Sequence, residues 1–115
     1  MVKPIEIKNN VTNDVYTLEF NRDSVRFAEA RGFDVQAFSE GKAPMTGTSD
    51  LFYYAFRMHH PKMSKADTDK MLFEDMGGMP DGLIERLIEL YSEPFNALVV
   101  NEDEERKNPK LTVTF

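Results

Sequence analysis

The chain has no cysteine. That one absence removes disulfides, thiolate metal ligands and cysteine nucleophiles together, and it fits a reducing compartment. No apolar run approaches the ~20 residues needed to span a bilayer, and the N-terminus carries no signal-peptide apolar core. The expectation is a soluble chain with no membrane partner. A basic face is also missing. The formal net charge is −6, and residues 74–105 hold ten acids against one base, Arg86. Such a surface repels phosphate, so nucleic acid is not an expected partner. The one weakly basic stretch, Arg57 to Lys70, reads as an exposed helix end and a solvated turn.

Signatures of catalysis are equally scarce. There is no His-Glu-x-x-His zinc motif, no Asp-rich calcium loop and no Gly-rich phosphate loop. Gly77-Gly78-Met79-Pro80 lacks the Lys-Ser/Thr that a phosphate loop needs. His59 and His60 are adjacent, so on a helix they point ~100° apart and cannot share a metal face. A helix C-terminus would favour their protonated forms. No catalytic residue, no metal and no cofactor is therefore assigned, and the expected activity is binding without catalysis.

What is present suffices for one core. At 115 residues with 41% apolar side chains, the chain is one domain by size. The reading places a single globular helical unit over 1–100 and an acidic linker with a C-terminal tail or strand over 101–115. Pro4–Lys8 and Val15–Phe20 alternate apolar and polar residues around the turn formers Asn9, Asn10, Asn13 and Asp14, which predicts a β-hairpin. Asn21 is an expected N-cap for a helix Arg22–Arg31, with Val25, Ala28 and Phe27 inward and Gly32 just beyond its end. Asp34 caps a short helix Val35–Glu40, followed by a loop over 41–47.

A central helix is expected from Ser49 or Asp50 to His60, apolar enough to be covered on two sides, with Pro61 ending it. Ser64 opens a helix to Met76 through a capping box closed by Asp67. Pro80 and Asp81 start the most amphipathic helix, carrying Leu83, Ile84, Leu87, Ile88, Leu90 and Tyr91. Ser92 caps a further helical turn to about Val100. The fold class is thus mainly α with a small β element: an N-terminal hairpin, a compact bundle of about five helices, and a flexible C-terminal tail or strand built on Leu111–Phe115.

A binding surface needs apolar side chains left outside the core. Methionine is frequent, at seven residues, and its flexible thioether suits adaptable contacts. Met63 and Met79 fall in turns, where a core role is least needed. Tyr53, Tyr54 and Phe73 lie beside positions assigned inward, and Met58 ends the apolar stripe of the central helix. These six residues are the candidate partner-binding set, as an exposed apolar patch marks an interaction site. The same patch would let copies of the chain associate as a homo-oligomer when no client is bound.

The order of several blocks carries more information than any one of them. Tyr16-Thr17-Leu18-Glu19-Phe20-Asn21-Arg22-Asp23-Ser24-Val25 is followed by Glu29-Ala30-Arg31-Gly32-Phe33. Then come Leu51-Phe52-Tyr53-Tyr54-Ala55-Phe56, His59-His60-Pro61, and Leu87 to Leu98 with Ser92-Glu93-Pro94-Phe95 inside it. Over roughly residues 14–100 this series resembles the tail assembly chaperones of siphophages that infect Gram-positive bacteria. The resemblance implies a non-catalytic protein of the host bacterial cytoplasm, absent from the mature virion. It implies binding and solubilising of the hydrophobic, helical tape measure protein. A frameshifted, longer form would recruit the tail tube protein. The alternative reading is an acidic prophage-encoded regulator or inhibitor that binds a host protein through the charge in residues 74–105.

Overall fold

A computed structural model describes residues 3–42, 46–95 and 114. The hairpin forms where alternation and turn residues predict it. Strand β1 (Ile5–Lys8) pairs antiparallel with β2 (Val15–Leu18), Ile5 opposite Leu18 and Lys8 opposite Val15. In the connecting turn the Asn9 side chain accepts from the Val11 and Thr12 amides, and Asn13 takes a left-handed φ of 66°, which asparagine tolerates.

Five helices follow: α1 (Arg22–Ala30), α2 (Val35–Ser39), α3 (Gly47–Phe56), α4 (Lys65–Lys70) and α5 (Leu83–Ser92). This is the α+β architecture expected. Asn21 caps α1 as a full capping box, its side chain accepting from the Ser24 amide while the Ser24 hydroxyl oxygen accepts from the Asn21 amide. At the other end Gly32, at φ 92°, lets the chain reverse. The Gly32 amide donates to the Glu29 carbonyl and the Phe33 amide to the Ala28 carbonyl, a Schellman closure that glycine makes accessible. It turns Phe33 back onto Tyr54 and Tyr91, at ring separations of 5.6 and 5.4 Å.

Helix α3 is the centre of the molecule. Leu51, Phe52, Tyr54, Ala55 and Phe56 are all buried, and the helix packs against α1, α4, α5 and β2. It is covered on more sides than two, as suits a helix apolar nearly all round. It also starts earlier and stops earlier than predicted. Thr46 is its N-cap, and Arg57 its C-cap. The Arg57 amide tightens the end onto the Tyr54 carbonyl, the His60 amide still reaches the Phe56 carbonyl (2.7 Å), and Pro61 prevents the helix from resuming. Past that point the chain serves β2. The Glu19 amide donates to the Ala55 carbonyl (3.1 Å) and the Thr17 amide to His60 Nε2 (3.0 Å). The edge of β2 away from β1 is thereby satisfied by a helix end and a histidine.

Three further boundaries are corrected. α4 does not run as α-helix to Met76: it gives way to a π-helical turn, Met71–Asp75, closed by the Met76 amide on the Met71 carbonyl. α5 starts at Leu83 and not at Pro80, because Gly82 has φ 84° and cannot belong to a right-handed helix. Ser92 does not cap a new helix. It is the last residue of α5, whose bonding continues through the Glu93 amide to Glu89 before Pro94 enforces a 3-10 turn, Glu93–Phe95. The predicted extension to Val100, the acidic run 101–107 and the strand Leu111–Phe115 lie outside the described residues, Thr114 apart.

Candidate apolar binding site

The register of α4 and its continuation decides which side chains near it are free. Thr68 and Leu72, four apart, are both buried under α4 and its continuation. Phe73 then falls on the outer side and is 61% exposed. One extra residue per turn shifts everything after Met71 relative to an α-helical register. Beside Phe73 opens a hollow of about 540 Å³, lined by Thr48, Lys65, Leu72, Phe73 and Met79 among others. The Lys65 ammonium holds its polar wall together. It pairs with Asp50 (3.6 Å) and Asp69 and donates to the Ser49 hydroxyl (3.1 Å).

A second hollow of about 530 Å³ lies on the hairpin side of the same π turn. Ile7, Tyr16, Lys70, Met71 and Met76 contribute to its wall, together with Val11 of the hairpin turn, which is 92% exposed. The turn bearing Phe73 thus stands between two concavities, each with methionine in its wall. Such surfaces accept client side chains in more than one register.

The six predicted contact residues divide. Phe73 and Met79 meet in the first hollow. Met58 is exposed, while Met63 is half-buried against the core. Tyr53 is half-buried, its ring 6.5 Å from Phe27. Tyr54 is only 6% exposed, edge-on to Phe27 and Phe33; burial raises its hydroxyl pKa above the ordinary value. It belongs to the core and offers a client almost nothing. Sequence reading missed Lys65 and Thr48, which reach the hollow only because α4 folds back along α3, and it left Met71 and Met76 out of the candidate set.

The two histidines hold β2 in place. His59 Nε2 lies 2.8 Å from Glu19 Oε1. His60 Nε2 accepts from the Thr17 backbone amide. Among the described residues, no group of three His, Asp or Glu side chains is placed to hold a metal ion, and no helix is long and apolar enough to cross a membrane.

Tyr91 stands apart from the surface sites. Its ring packs edge-on to Phe20 at 5.0 Å, and its buried hydroxyl has no hydrogen-bond partner among the described residues. Burial, then the Glu29 carboxylate, push its pKa up to about 12.

Over residues 1–115 the chain belongs to the family described as a domain of unknown function, DUF5055. No curated protein and no solved structure matches it.

Proposed function

We propose that this member of the DUF5055 family is a phage tail assembly chaperone: it binds the tape measure protein, keeps it soluble in the host cytoplasm and is left out of the finished virion. The observation that carries this reading is the ordered set of motifs across residues 14–100. The fold supports it by giving those blocks one framework. Tyr16–Val25 covers β2, the α1 cap and the first turn of α1; Glu29–Phe33 forms the Schellman closure; Leu51–Phe56 is the buried helix; His59 and His60 brace the sheet edge. A tape measure helix would lay its apolar face along the π turn, with Phe73 and Met79 in contact and the methionine-lined hollows taking its side chains. Tail tube protein would join through an extended form of the chain. The role is binding without catalysis.

Co-expression with a segment of the tape measure protein encoded beside this gene tests the proposal. Phe73→Asp should leave the chaperone folded and return the client to the insoluble fraction. A client equally insoluble with and without the wild-type chain would sink the reading. So would a gene neighbourhood lacking an upstream tail tube gene, a long downstream coiled-coil gene and a slippery sequence near the stop codon.

A further inference from the structure

The hairpin has two outer edges, and only the edge on β2 is covered. The Asn9 amide donates to the Asp14 carbonyl at 2.8 Å, and β1 and β2 pair with Ile7 opposite Tyr16 and Ile5 opposite Leu18. Hydrogen-bonded pairs alternate along an antiparallel ladder, so Ile7–Tyr16 and Ile5–Leu18 exchange backbone bonds and the residues between them point their backbone groups outward. On the β2 side these are Thr17 and Glu19, whose amides reach His60 Nε2 and the Ala55 carbonyl. On β1 they are Glu6 and Lys8. Among the described residues their outward amides and carbonyls have no partner, and both residues are exposed. A free strand edge of this kind is a template for another strand.

We propose that the β1 edge is a self-association surface, on which a second copy of this chain lays its own β1 antiparallel and centred on Ile7. The result is a four-stranded sheet in the order β2–β1–β1–β2. Charge complementarity selects both the occupant and the register. With Ile7 opposite Ile7 of the second copy, Glu6 faces Lys8 and Lys8 faces Glu6. Those are the residues whose backbone groups are free, so each oppositely charged pair also exchanges amide–carbonyl bonds. Sliding the register by two residues sets Glu6 against Glu6 or Lys8 against Lys8, and like charges directly opposite are unfavourable. Pro4 has the same outward parity but no amide to donate, so the ladder ends there and longer pairings do not form. On the opposite face the two Ile7 side chains, each half-buried in its own hairpin, meet in the closer, non-hydrogen-bonded kind of pair. Ile7 and Lys8 also belong to the wall of the hairpin-side hollow. The two-fold axis stands perpendicular to the sheet, so both copies turn that hollow to the same face and offer a client two adjoining surfaces. That consequence rests on the proposed client site; the pairing does not.

Sedimentation equilibrium of the purified full-length chain at up to ~1 mM tests the pairing. The wild type should show a monomer–dimer equilibrium. E6K creates two Lys–Lys pairs in the dimer and K8E two Glu–Glu pairs, and each should raise the dissociation constant ~10-fold or more. The double variant E6K/K8E restores opposite charges and should restore the dimer. Mixing E6K with K8E should do the same, since one strand is then doubly basic and the other doubly acidic. Neither Glu6 nor Lys8 takes part in an ion pair among the described residues, so the reversals remove none from the hairpin. On dilution of the wild type, amide exchange should quicken at Glu6 and Lys8 and not at Ile5 and Ile7. A wild type that stays monomeric overturns the proposal. So does a dimer indifferent to both single reversals, or one that the double reversal fails to restore. No client enters the measurement, so its failure leaves the chaperone reading standing.

Discussion

At the residue scale, short-range capping chemistry was legible for α1, α2 and α4, but not for Ser92, which lies inside α5. Asn21, Asp34 and Ser64 each accept the amide three residues on, because an Asx or Ser side chain reaches only its own neighbours. Asn21→Ala should cost about 1 kcal/mol, read by urea unfolding, since it leaves amides of the first turn of α1 unpaired. Asp67 shows the same logic in its titration: hydrogen bonds from Ser64 hold its carboxyl below the ordinary carboxylate value. That contribution is present above the unfolded-state pKa and is lost as pH falls through the folded one. Tyr91 runs the opposite way. Its folded pKa, about 12 against an ordinary 10.0, means that the native state keeps a proton the unfolded chain has released. Stability should therefore be whole below pH 10 and decline as pH rises toward 12. Unfolding at successive pH values should show that decline. Tyr91→Phe should remove most of it, leaving Tyr54 to account for the remainder, and should cost little at neutral pH because the hydroxyl it deletes has no partner among the described residues.

At the element scale, types were legible and ends were not. The hairpin and all five helices follow from alternation, periodicity and caps. Their limits depend on backbone events the pattern does not carry: a tightened turn at the end of α3, Gly82 in the left-handed region, and a π turn after Lys70. The last of these matters most for the candidate site. Helical spacing sets Phe73 beside the inward positions as a candidate contact, and at this turn it is 61% exposed. The bond between β2 and His60 is likewise a product of assembly, forty-three positions apart in the chain. His60→Ala should leave the Thr17 amide without its acceptor and cost roughly 1–3 kcal/mol. Solvent exchange at that amide should accelerate far more than at the Ile5–Leu18 pair.

At the scale of the whole molecule, α3 acts as the shared core of α1, α4, α5 and β2. Truncating Phe56 to Ala should cost about 3–5 kcal/mol and melt hairpin and helices in one transition, measurable by calorimetry. By contrast Phe73→Asp, on the outside, should change stability by no more than ~0.5 kcal/mol while removing client binding. That contrast separates the folding role of Phe56 from the binding role of Phe73. The sequence by itself determined the class of the fold, the caps of α1, α2 and α4, the size of the core and the acidic surface, because each rests on composition or on residues a few positions apart. Only the tertiary structure decided that Tyr54 is core and Phe73 is surface, and that Lys65 closes a polar wall. A helix has as many faces as neighbours to cover them, and those neighbours come from distant parts of the chain.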